Sequence, residues 1–523
     1  MTPPTVGQAE AWSPGALGRL ADGWDRNARF VCAHADSLAS EFSFWTGAGA
    51  DMARERAKSI VATADTLSRA LVLAAAAARD GAAQISAARA DVMAVVSAAR
   101  TEGFAVHDAG SVAVHAPPSP LLVALSGGVP SVAVEMLTVR AAELTGRLTE
   151  ALNRLGAADA DAAADIAGAF AIPAAGGQAA ADAGVVAAWP ISSQDRIADQ
   201  IAAMTPEQRQ RLVEEFPSQV GNTDGIPWEM RVEANRTNVA QAVLREPDPQ
   251  RLAVYRELLG EIDDPAGGPA RLDRQVLAFD PGRSSLVELH GNVASASSVA
   301  VLVPGLNTTI TGSAANAGTA RRFVSATRGD VAAITYLGGP FPRGDNVVGG
   351  LAAAADPRFA LDMAPRLVAF TEDVDRTVDS TGRRIPVTVV GHSYGGSIVG
   401  TAEALGMTSD RTMYVAAAGA GVGVREPDDW HNRNPHVLRF SMTPPGDFIA
   451  AVQGIPGGPH GADPDEMPGV IRLPAGRYDD GRPMAGPSAH SDVLNAPSDA
   501  WRAILGVITG DIGRDRATSR QPG

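Results

Sequence analysis

Five runs of continuous apolar residues alternate with helical stretches after residue 274, and this alternation limits the fold more than any other feature. The runs are VAVLVPG at 299–305, VAAITYLG at 331–338, IPVTVVG at 385–391, RTMYVAAAG at 411–419 and HVLRFSM at 436–442. A strand that is apolar on both faces has to be covered on both faces, which is the situation inside a parallel sheet flanked by helices. AGTARRFVSAT and DMAPRLVAFTEDVDRTV supply helices between the runs. Ahead of them, QVLAFD and SLVELHG flank Pro281-Gly282, a hairpin signal. The expected architecture is α/β: a mostly parallel sheet flanked by helices, opened by an antiparallel hairpin.

The N-terminal part has a different texture. Ser13 can cap a helix with Pro14 in its first turn. Leu17, Leu20, Trp24, Ala28, Val31, Ala35, Leu38, Phe42 and Trp45 then follow at steps of three and four, which predicts a packing seam. WTGAG at 45–49 breaks the helix, and Trp45 is expected to be buried at the break. A second seam of Ala53, Ala57, Ile60, Ala64, Leu67, Leu71, Ala74 and Ala78 leads on to about residue 100, giving an antiparallel all-α hairpin. The boundaries read as a helical hairpin at 1–103, a further helix near 131–155 with an Ala/Gly-rich linker or loosely packed helix within 104–190, an α/β domain at 191–513 and a disordered tail at 514–523. Ser192 with Asp195, and Thr205-Pro206 with Gln208, read as helix starts with capping boxes.

Composition removes several classes of function. The net charge is −15 with no block of Lys or Arg, so nucleic acid is not an expected partner. The single lysine, Lys58, falls in a helical stretch, which argues against Schiff-base chemistry and a P-loop. The single cysteine, Cys32, rules out an internal disulfide and a thiolate metal cluster, and reads as a small buried helix residue. The N-terminus lacks the basic patch and apolar run of a signal peptide, and ALVLAAAAA at 70–78 is too short and alanine-rich to span a bilayer. A soluble, cytoplasmic protein, not transmembrane, is expected, with no metal or organic cofactor.

The chemistry concentrates at VVGHSYGGSIVG, residues 389–400. With 55 glycines in the chain, a bare GxSxG carries little information, so its context decides. Ser393 directly follows a strand and precedes GGSIVGTAEALG, which reads as a helix stopped by Gly406. Strand, sharp turn, serine and helix together are what a nucleophile elbow requires, with small residues at Gly391 and Gly395 letting strand and helix pass closely. The elbow order places the acid and then the histidine after the serine. His490, in the polar stretch before the last helix, is the expected base, with His460 as the alternative. Asp447 is the first carboxylate after the strand VLRFSM and the expected acid, with Asp463 and Asp465 as alternatives. One oxyanion donor is expected from the Tyr394 amide, the other from Leu306 or Asn307 in VLVPGLNTTITG.

Two resemblances add to this reading. Trp45-Thr46-Gly47 between two seamed helices resembles the WxG-type proteins of type VII secretion systems over about the first 100 residues, which implies a small helical WxG-type partner and export by that route. The family's tyrosine-based secretion signal is absent, since no tyrosine precedes Tyr255. VPGLNTT, GHSYGG, GDFI, PHGADP and AHSDVL, with GIPWEMRVEANR upstream, resemble an actinobacterial family of α/β hydrolases long catalogued as a domain of unknown function, over about residues 200–510. In this sequence YLGGPFPRGDN stands where that family carries Tyr-Asp-Ala-Pro. The resemblance implies an α/β-hydrolase fold and Ser393, Asp447 and His490 as a triad. The expected function is a serine hydrolase cleaving a small-molecule or lipid-like carboxylic ester. Acyl transfer on the same triad, or a secretion-associated adaptor or effector, are the alternatives.

Overall fold

In the computed structural model, residues 3–40, 46–171, 179–344, 347–453 and 458–512 are described. Trp45 and the 514–523 tail lie outside them. The chain divides into two units, residues 1–175 with 240–245, and residues 176–239 with 246–523.

The first unit is built on three long helices, α1 (Gly15–Ser40), α2 (Ala48–Thr101) and α3 (Pro130–Ala169). α1 and α2 pair as the expected hairpin, and Ala28 and Ala35 of the expected seam are buried, but Ala21, Asp25 and Cys32 are buried beside them while Leu20 is exposed and Leu17, Trp24, Val31 and Leu38 are only half-buried. On α2, Ala57, Ala74 and Ala78 are buried as expected, but Ile60 and Leu67 are exposed. Alanine lets two helix backbones approach closely, and the stripe also admits Asp25, whose carboxylate accepts from Arg79 of α2 at 2.8 Å. A seam chosen by hydrophobicity alone therefore misses by about one position. α2 is long and apolar enough to cross a membrane by length and composition, yet Ala70, Val72, Ala75 and Ala78 on it are buried within the unit. Further along, Ile85, Val92, Val95 and Val96 pack against Leu144, Leu148, Leu152 and Leu155 of α3. A two-stranded ribbon, Phe104–Val106 with Val112–Val114, joins these two helices. The Ala/Gly-rich stretch begins as the last turns of α3, and residues 172–178 lie outside the described set.

The second unit holds one eight-stranded sheet. Its strands are β1 (Gln275–Asp280), β2 (Ser285–His290), β3 (Ser298–Val303), β4 (Val331–Leu337), β5 (Val387–His392), β6 (Arg411–Val415), β7 (Leu438–Met442) and β8 (Ile471–Arg472). The spatial order is β8-β7-β6-β5-β3-β4-β2-β1. β2 runs antiparallel to both its neighbours, and every other pairing is parallel. All five apolar runs form strands, and the Pro281-Gly282 hairpin forms as expected. The two-residue edge strand β8 has no sequence signal of its own.

Helices α5 (Ser313–Ala326) and α9 (Asp499–Thr509) press Phe323, Val324, Ile504 and Val507 onto one sheet face, against Ala300, Leu302, Val390 and Met413. The intervening residues Val299, Val301 and Val303 point to the opposite face and are equally buried. Helices α6 (Arg358–Ser380) and α7 (Tyr394–Ala404) pack together there, burying Leu367, Phe370, Ile398 and Val399. GIPWEMRVEANR opens α4 (Trp228–Arg245), which is tied to α6 through Asp373. That buried carboxylate accepts from the Gly225 amide at 2.7 Å, Trp228 Nε1 at 2.8 Å and Arg231 at 2.7 Å. A buried charge so fully partnered holds its elements in place, and removing one partner strands the rest.

Candidate active site

The site assembles at the carboxyl ends of β3, β5, β6 and β7. Ser393 closes β5 and caps α7 with φ 56° and ψ −124°, a left-handed backbone conformation for a side-chain-bearing residue. The conformation is over-determined by neighbours: the Ser393 amide donates to Val415 O at 3.0 Å, and its carbonyl accepts from Ala418 at 2.9 Å and Gly396 at 3.1 Å. The two elbow glycines are required by close approach. A Cβ on Gly391 would meet Gly395 O at 2.7 Å, and one on Gly395 would overlap the carbonyls of Val303 and Pro304.

Ser393 Oγ lies 2.9 Å from His490 Nε2. His490 Nδ1 lies 2.8 and 3.1 Å from the two oxygens of Asp447. A carboxylate only accepts, so Nδ1 carries the proton and the Nε2 lone pair faces the serine hydroxyl. Asp447 stands in the turn after β7, its side chain fully buried, and one oxygen also accepts from the Ile449 amide at 3.0 Å. His490 lies in the first turn of a short helix, α8 (Ala489–Asn495), rather than in the polar loop expected. Ser488 and Ala489 already take helical geometry, so the loop ends just before the histidine. The two segments are stitched by the Gly486 amide donating to Pro445 O at 2.8 Å.

The alternative residues are engaged elsewhere. His460 Nε2 donates to Ala354 O and its Nδ1 accepts from Ser397 Oγ at 2.8 Å, so neither ring nitrogen is available to Ser393. Asp465 pairs with Arg472 at 3.4 Å, and the Asp463 carboxylate accepts from the Asp465 amide at 2.8 Å.

The loop after β3 comes against the serine. A Cβ on Gly305 would lie 2.6 Å from Ser393 Cβ, so the loop after β3 touches the serine at this glycine. The Asn307 amide donates to Pro342 O at 2.9 Å, so of the two amides expected on that loop this one is already engaged. The Tyr394 ring is buried and its hydroxyl donates to Asp356 O, so its side chain is engaged away from Ser393. Burial pushes the Tyr394 phenol well above its ordinary range.

One neighbour of His490 was not among the residues expected at the site. His392 Nε2 lies 2.7 Å from the carbonyl oxygen of His490, and the two rings are 5.0 Å apart. Facing a carbonyl, Nε2 must carry the proton. Burial pushes His392 down to about 4, so it stays neutral beside His490. Its signal was the histidine in GHS, but nothing local indicates that it reaches a backbone oxygen 98 residues away. Phe448, 47% exposed with its ring 4.6 Å from that of His490, forms an apolar wall beside it. Within this unit the described residues bring no three metal-ligating side chains together.

A family comparison agrees with this fold. Residues 280–456, which include Ser393 and Asp447, match the model of a family described as alpha/beta hydrolase. The strand order, the single antiparallel strand within the sheet and the elbow after β5 are those of an α/β-hydrolase fold, and the match supports hydrolase-type chemistry. The chain is 28% identical over 250 residues to an uncharacterized protein of Mycobacterium tuberculosis, found in two strains. The match covers 39% of this chain and 36% of the relative, so the chain spans little more than a third of that relative's length. Among solved structures, similarity is found to TT1662 of Thermus thermophilus, at 12% identity and a TM-score of 0.22, covering 45% of this chain and 99% of that one. The Francisella virulence factor BioJ is similar at 11% identity and a TM-score of 0.26, covering 62% of this chain and all of that one.

Proposed function

We propose that this protein is a serine hydrolase that cleaves carboxylic esters through an acyl-enzyme. The observation that carries the reading is the unbroken contact chain from Ser393 Oγ through His490 to Asp447, at 2.9 and 2.8 Å. His490 Nε2 takes the hydroxyl proton as Oγ attacks the acyl carbon, and returns it to the departing alcohol oxygen. Water, deprotonated by the same nitrogen, then releases the carboxylic acid and restores Ser393. Asp447 holds the tautomer and stabilises the imidazolium. The Leu306 and Tyr394 amides receive the oxyanion, helped by the amino terminus of α7. Phe448 beside the base supports an apolar portion of the substrate.

A fluorophosphonate probe tests this directly. Ser393 is expected to be the labelled residue, and Ser393→Ala is expected to lose label and to lower kcat on short-chain esters by roughly 10⁴–10⁶ without changing the melting temperature. Near-normal turnover by a well-folded Ser393→Ala protein would reject the reading. Products in the presence of added alcohol separate hydrolysis from acyl transfer.

A further inference from the structure

The loop that carries Leu306 also lines a second space. Thr308, Thr309 and Thr311 border a cavity of about 390 Å³, whose other walls come from the helix Pro249–Leu259, the turn Pro281–Ser284 and the loop Pro340–Arg343. Two residues of chain span at most ~7 Å, so this wall begins within that distance of the Leu306 amide. The Asn307 amide and side chain bind Pro342 O and the Gly344 amide, each at 2.9 Å, and so fasten the oxyanion loop to the opposite cavity wall.

Tyr255 lines the cavity at 2% exposure, and its hydroxyl has no hydrogen-bond partner among the described residues. The hydroxyl is not among the buried unpaired polar atoms, so it faces the cavity, and a guest that displaces water there has to pair it. Burial pushes this phenol above its ordinary range, so it remains an O–H group. Phe341 and Ile310 give the floor an apolar patch. Thr309 and Thr311 add two hydroxyls 3.0 Å apart. Glu246 and Arg251 pair at 3.0 Å on the wall, with the Glu246 side chain only 10% exposed.

This mixture selects among guests. A phosphate or carboxylate would meet the Glu246 charge inside the wall; that charge already matches Arg251, and Arg343, the other cation on the lining, is exposed, where solvent screens its attraction. A hydrocarbon would leave Tyr255 unsatisfied. A group of several neutral hydroxyls both donates and accepts, and its C–H faces suit the apolar floor. We propose that this cavity is a subsite for a neutral polyhydroxylated group, a sugar or polyol, that forms the alcohol half of the ester. The proposal rests on Ser393 acting as the nucleophile.

The test compares kcat/KM of the full chain on octanoylglucose and on ethyl octanoate. The sugar ester is expected to be favoured by about tenfold or more. Tyr255→Phe, which keeps the ring, and Thr311→Val, at the exposed rim, are each expected to lower that ratio by about three- to tenfold, the scale of one lost neutral hydrogen bond. Calorimetric binding of methyl glucoside to the Ser393→Ala protein should weaken in the same two variants. Equal kcat/KM on the two esters with a ratio unmoved by both variants would overturn the subsite. So would inorganic phosphate binding more tightly than methyl glucoside. A Ser393 that takes no fluorophosphonate label sinks the hydrolase reading instead, and methyl glucoside binding then still decides the cavity.

Discussion

At the scale of single residues, the candidate site depends on how its base is held. His490 sits in the first turn of a seven-residue helix, which is too short to be rigid by itself. Its ring is held at Nδ1 by Asp447, and its backbone is held by the proton on His392 Nε2. His392→Phe preserves the ring volume and removes that donor. A base displaced by about 1 Å loses roughly 10²-fold in the chemical step, so kcat is expected to fall on that order with little change in KM. His392→Gln, whose amide nitrogen can reach the same carbonyl, should recover most of the loss. Single-turnover acylation measures this, and equal defects in the Phe and Gln variants would mean that His392 acts only as filling. Ser393, Asp447 and His490 could be named from chain order and flanking pattern. His392 could not, because its partner is a backbone oxygen far away in the sequence.

At the scale of elements, local signals differ in how sharply they read. Thr205 and Gln208 form the capping box expected: each side chain bonds the other's backbone amide, at 3.3 and 2.8 Å. Thr205→Ala should cost about 1 kcal/mol, measurable as a lowered thermal midpoint of the full chain. The neighbouring helix starts one residue later than expected. Ser193, not Ser192, accepts from the Arg196 amide, while the Ser192 hydroxyl donates to Ala188 O in the preceding turn. Two adjacent serines offer the same chemistry, and only the end of the previous helix decides which one caps. The strands read clearly because burial on both faces leaves continuous apolar runs. The α1 seam read less clearly, because alanine-rich helices can pack on any face that brings their backbones close.

At the scale of the whole molecule, burial of titratable groups sets the response to acid. His290 and His392 are both pushed down to about 4, first of all by burial. As pH falls below about 6.5 the unfolded chain takes up protons at these positions and the native chain does not. Their contribution is therefore intact above about 6.5 and is lost as pH falls toward 4, by about 2 kcal/mol for each at pH 5. Asp224 acts in the opposite sense. Burial pushes it up to about 6, so the native chain binds its proton first, but its side chain is 24% exposed and its share is screened. A net loss of stability between pH 7 and pH 5 is expected in denaturant titrations, and His392→Gln should flatten it. A denaturation midpoint that does not move over that interval would contradict the burial argument.

Legible in the chain were the parallel sheet, the strand-turn-helix at Ser393, the chain order of Ser393, Asp447 and His490, and the long helical hairpin. Each of these is written in periodicity, continuous burial or local turn geometry, which act over a few residues. Packing adds what the chain does not carry: that the expected Asp447, and neither Asp463 nor Asp465, meets His490, and that His460 is spent on Ser397 and Ala354. It also decided which stripe of α1 turns inward, and that an edge strand forms at Ile471–Arg472. These outcomes depend on which polar groups find partners once distant segments are packed, and a buried hydrogen bond between residues far apart leaves no pattern in the chain between them.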